Sequence, residues 1–108
     1  MHRIIGDIYK VIIDRPLGSN HPEHPDITYE VNYGYVDGIT AADGEEQDAY
    51  VLGVDEPISE YEGKLIAIIH RLNDVENKWV ISKNNYTKEE IYEKIKFMEQ
   101  YFKVEILM

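Results

Sequence analysis

At 108 residues, 44% hydrophobic and 30% charged, the chain has the size and make-up of one ordinary globular domain with a modest core. A formal charge of −10 argues against nucleic-acid binding, which needs basic patches, and the lack of cysteine excludes disulfides and thiolate zinc sites. No apolar run approaches the roughly 20 residues of a membrane span, and the opening Met-His-Arg-Ile-Ile-Gly-Asp lacks the apolar stretch of a signal peptide, so the expectation is a cytoplasmic protein that does not engage membranes.

Taken in order, Ile4 to Ile13 is rich in Ile, Val and Tyr and predicts a long first strand. Pro16 to Asp26 gathers prolines with Gly18, Ser19 and Asn20 into an irregular loop. Ile27 to Val36 alternates, with Tyr29, Val31, Tyr33 and Tyr35 on one face and Glu30, Asn32 and Gly34 on the other. Asp48 to Val54 reads as a short strand, Glu60 and Glu62 as part of an exposed turn, and Leu65 to His70 as a buried strand. Asn73 to Asn77 is a polar turn before a strand over Lys78 to Ser82.

Thr87 with Glu90 three residues on forms a capping box and opens the one convincing helix. Ile91, Ile95, Met98 and Phe102 recur at helical spacing, while Lys88, Glu89, Glu93, Lys96 and Glu99 make the polar face. Val104 to Met108 suits a short last strand. About five strands around one helix, with little parallel βαβ patterning, predict a mainly β fold, a small antiparallel β-barrel forming a single domain over 1–108.

The most pointed feature is Tyr29-Glu-Val-Asn-Tyr-Gly-Tyr35 followed by a loop carrying Asp43, Glu45 and Asp48. Three carboxylates so close repel one another unless a cation lies between them, and the hard divalent ions take such oxygen ligands. An acidic surface loop is the plainer alternative. Strand and loop together resemble the active-site segment of the soluble inorganic pyrophosphatases, Tyr-Pro-x-Asn-Tyr-Gly-Tyr and then Asp-Gly-Asp-x-x-Asp, with no gap. Glu30 stands in place of the proline and Glu45 in place of the middle aspartate. Asp14-Arg15 matches an upstream Asp-Arg pair, and the resemblance is traceable to Tyr101.

The resemblance implies an OB-like barrel and Mg²⁺-dependent (or Mn²⁺-dependent) hydrolysis of diphosphate to two orthophosphates. It assigns metal binding to Asp43, Asp48 and Asp74, the general base to Glu45, and substrate binding to Arg15, Tyr33, Lys78 and Tyr101. An acidic protein takes an anionic substrate only when cations lie between them, which is consistent with that dependence. Tyr29 and Tyr35 are read as packing, and Asn77 as a turn residue where a further aspartate is expected. Phe102 occupies a lysine position of the family, with Lys103 one step further on. The family's N-terminal Lys-x-Glu strand has no counterpart, so those groups are missing, lie elsewhere, or come from another subunit of a homo-oligomer. The alternative is a non-catalytic divalent-metal or phosphate-binding module on the same fold. His21-Pro-Glu-His-Pro-Asp26 also offers a weaker transition-metal reading, set against a plain exposed loop.

Overall fold

Alternating apolar residues build a barrel with one helix laid on its outside. The computed structural model describes residues 5–72 and 76–108. Its elements are β1 (Ile8–Arg15), β2 (Asn32–Thr40), β3 (Glu46–Val51), β4 (Glu60–Arg71), β5 (Asn77–Ser82), α1 (Lys88–Glu99) and β6 (Val104–Leu107). The sheet runs β1-β2-β3-β5-β4-β6, and a second pairing of β1 with β4 closes its first five strands into the expected barrel. β6 pairs with the far end of β4, outside the ring. Every pairing is antiparallel except β3 with β5, which is parallel and sets Ala49 beside Trp79.

Neighbouring residues of each strand point to opposite sides, so two apolar clusters form. One takes Val11, Val36, Ala49, Val51, Leu65, Trp79 and Ile81 from the five barrel strands and fills the barrel. The other joins Tyr29, Tyr33, Tyr50, Leu52, Ile69 and Val80 to Ile91, Ile95 and Phe97 of α1. Burial of Ile91, Ile95 and Phe97 holds the helix, each contributing roughly 1.5–3 kcal/mol. Thr87 caps it as expected: its side chain accepts from the Glu90 amide, and the Glu90 carboxylate accepts from the Thr87 amide. Gly34 permits β1 and β2 to touch, since a Cβ there would collide with the Ile12 carbonyl.

Several expectations shift. The strand expected from Ile27 begins at Asn32, because Ile27 to Val31 instead bonds back to the preceding loop through Gly18, Ser19 and His21. Asn32 is fully buried and staples two loops, accepting from the Leu17 and Ile58 amides and donating to the Glu56 carbonyl. Glu60 and Glu62 lie in β4 paired with β1, not in a turn, though both remain exposed. Asn77 opens β5, where its side chain bonds His70 at 2.7 Å. Glu99, expected on the polar face, is fully buried, and the helix stops before Phe102.

Candidate functional site

A cleft of about 570 Å³ lies between the ends of β1, β4 and β5 and the C-terminal end of α1. A register shift between Ile13 and Arg15 in β1 lets two successive residues, Asp14 and Arg15, line it together. Arg15 donates to the Tyr29 hydroxyl at 2.7 Å and lies over the rings of Tyr29 and Tyr33. Burial opposes its charge, yet these hydroxyls and Asp14 hold its pKa above the ordinary value. For Asp14 burial dominates and raises the pKa, with Arg15 opposing and Asp48 adding to the rise.

The floor comes from the parallel β3–β5 pair. Gln47, buried between them, donates to the carbonyls of Asp48 (3.0 Å) and Asn77 (2.8 Å). On those rungs Lys78 meets Asp48 at 2.6 Å and reaches Glu76 at 3.5 Å, while its ammonium lies 5.7 Å from the Tyr33 ring centre. Tyr33 is held protonated: burial first, and then the Asp48 charge, push its pKa well above the ordinary value.

The far wall is a buried network. Arg71, at the end of β4, donates from Nε and Nη2 to the two carboxylate oxygens of Glu99 at 3.0 and 2.8 Å, and Tyr50 donates to the same carboxylate. Its remaining nitrogen, Nη1, reaches Glu76 at 3.4 Å, and the Phe102 ring stacks on its guanidinium. Burial works against the Arg71 charge, but the Glu99 pairing raises its pKa above the ordinary value. Tyr101 is largely exposed where it lines the cleft, as His21, Glu23, His24 and Asp26 do. His21 stacks on Tyr29, and burial followed by the Arg15 charge lowers its pKa.

The cleft therefore brings together Arg15, Tyr33, Asp48, Lys78 and Tyr101 of the sequence-derived set. Asp43 and Glu45 lie instead in a smaller groove of about 190 Å³, which meets the cleft at Asp48 and Glu76. Asp74 falls outside the described residues. Sequence reasoning passed over Arg71 and Glu76. Strand alternation from Lys78 places Glu76 on the same side, whereas Arg71 carried no motif.

The Mg²⁺ implied by the resemblance would draw on Asp43 and Asp48, which line one groove, and on Asp74, which lies outside the described residues. Among the described residues no three His, Asp or Glu side chains are grouped to hold an ion. Asp43 accepts from the Glu45 amide of its own turn, and Asp48 is taken by Lys78. The same finding leaves His21 and His24 as rim residues without a metal cluster. No described helix is long and apolar enough to cross a membrane.

No protein-family model matches the sequence, and no curated protein does. Solved structures do. The inorganic pyrophosphatase of Ehrlichia chaffeensis superposes with a TM-score of 0.69 at 15% identity, over 95% of this chain and 86% of that one. That of Helicobacter pylori gives 0.63 at 17%, over 98% and 87%. One from Neisseria gonorrhoeae gives 0.59 at 20%, over 89% and 67%. The chain has the pyrophosphatase fold. At such identities the likeness speaks for the fold alone.

Proposed function

We propose that the cleft binds diphosphate and that the chain hydrolyses it to two orthophosphates. The observation that carries this is the convergence of Arg15 and Lys78, from strands far apart in sequence, around the Tyr33 ring in one cleft. Guanidinium and ammonium groups with a phenol are the donors that phosphate oxygens need. The named activity of the structural neighbours agrees.

With a net charge of −10 and an acidic rim, the protein repels bare diphosphate. The substrate is therefore the Mg²⁺ complex, whose charge is reduced before it arrives. Arg15 and Tyr33 take oxygens of one phosphate, and Lys78 leaves Asp48 to take the other. Hydrolysis breaks the bridging P–O bond as water adds to phosphorus. Glu45 is the proposed base: it is exposed on the smaller groove, whose wall of Asp48 and Glu76 borders the cleft.

A second reading, a non-catalytic phosphate-binding module, is favoured by the position of Asp43 and Glu45 outside the cleft. Phosphate release from diphosphate, with Mg²⁺ and with EDTA, separates the two when paired with calorimetric binding. Turnover that needs Mg²⁺ and is lost in Lys78→Met supports hydrolysis. Binding without release establishes the module, and neither binding nor release overturns both.

A further inference from the structure

We propose that Arg71 is a third phosphate-binding cation of this cleft, beside Arg15 and Lys78, and that Glu76 is an internal carboxylate occupying its anion position until the ligand displaces it. This deepens the diphosphate reading and rests on it. Two of Arg71's three nitrogens are committed to Glu99, a residue with no exposure, so the guanidinium is fixed in plane and position. Phe102 covers one face of that plane. The third nitrogen, Nη1, lies toward the cleft and meets Glu76.

Glu76 spans two cations. One of its oxygens lies 3.4 Å from Arg71 Nη1 and the other 3.5 Å from Lys78 Nζ. Both contacts are longer than the roughly 2.7–2.9 Å of a strong charged hydrogen bond. A carboxylate bridging a guanidinium and an ammonium imitates two oxygens of one phosphate. A phosphate carries more charge and a third oxygen, and can close both contacts at full strength. Arg71 is preorganised for it, because Glu99 and Phe102 hold the guanidinium before the ligand arrives. Lys78 needs to turn only from Asp48.

The test is calorimetric titration with inorganic diphosphate in EDTA, at fixed ionic strength, repeated with Mg²⁺. Glu76→Gln removes the internal anion and should tighten binding about tenfold, the size of one charged hydrogen bond. Asp26→Asn removes the same charge at the rim and should change it far less. Arg71→Met/Glu99→Met exchanges the buried pair for apolar side chains, a replacement proteins often tolerate, and should weaken binding at least about tenfold. In that background Glu76→Gln should lose most of its effect, a dependence that a purely structural Arg71 does not produce. The proposal falls if the double-Met protein folds and binds like wild type, or if Glu76→Gln and Asp26→Asn act equally. If Lys78→Met weakens binding while both Arg71 results are negative, only the Arg71 assignment is lost. If wild type binds no diphosphate in either buffer, the cleft reading falls too.

Discussion

Asp48 and Lys78 face each other across the one parallel strand pairing, carboxylate to ammonium at 2.6 Å. Ala49 pairs with Trp79, so the residues just before them stand side by side. Lys78 is 6% exposed and Asp48 35%, which makes the pair a half-buried one whose lysine depends on its partner. The pairing neutralises the cation that a phosphate needs and the carboxylate that a metal needs. A ligand of either kind must separate them.

Breaking this pair from one side should therefore cost more than removing it whole. Asp48→Asn and Lys78→Met are each expected to lower stability by about 2 kcal/mol, chiefly by stranding the partner. The double variant should fall short of the sum by about 1 kcal/mol or more. Urea unfolding of the four proteins measures this, and strict additivity would deny the coupling.

Glu99→Gln should be among the most damaging single changes. It keeps the shape but leaves the Arg71 guanidinium buried against a neutral amide, a loss of about 3–5 kcal/mol. Tyr50 loses a charged acceptor as well. Equilibrium denaturation reads the cost; a change below about 1 kcal/mol would mean that water reaches Arg71 and solvates it.

Three of the nine tyrosines tie stability to alkaline pH. Burial raises the pKa of Tyr29, and burial with a neighbouring carboxylate raises those of Tyr33 and Tyr50 well above the ordinary value. Above about pH 10 the unfolded chain releases phenolic protons that the native chain keeps. Their contribution is thus complete below that pH and lost as pH rises toward the folded values. Urea midpoints should fall steeply there, with less slope in Tyr50→Phe. Phenolate absorbance should show the last tyrosines ionising together with unfolding; nine independent, non-cooperative titrations would contradict the burial.

Glu45 gives the cleanest separation of chemistry from binding. It is exposed and makes no contact with the cleft cations, so Glu45→Gln should leave diphosphate affinity within about twofold while lowering phosphate release about a hundredfold or more. Glu60→Gln and Glu62→Gln, exposed on β4, provide the charge-matched comparison and should alter neither. Equal losses from all three would indicate net charge rather than a positioned base.

The barrel and its helix were legible because their signals are local. The Thr87–Glu90 box, the apolar runs of β4 and β5 and the alternation through Tyr33 each announce an element without reference to the rest. Of the residues that the sequence singled out, Arg15, Tyr33, Asp48, Lys78 and Tyr101 line one cleft. What stayed hidden depends on tertiary pairing. Glu99 belongs to the polar register of its helix, and only the arrival of Arg71 from β4 makes its burial tolerable. Glu76 falls in a stretch that reads as a turn, and its place between Arg71 and Lys78 shows only once β4 and β5 are paired. The Asp43 carboxylate accepts from the Glu45 amide of its own turn, a local bond that residue spacing does not reveal.

The parallel strand β5 also supplies an optical division of labour. Trp79 follows Lys78 directly but points to the opposite side, buried in the barrel and edge-on to Tyr9 of β1. It is the chain's single tryptophan. Its emission therefore reports the packing of Tyr9 against it when β1 pairs with β4 and closes the barrel, while a ligand in the cleft touches the reverse face of β5. Tryptophan fluorescence can time barrel closure in the presence of any diphosphate concentration, with folding and occupancy recorded on separate channels.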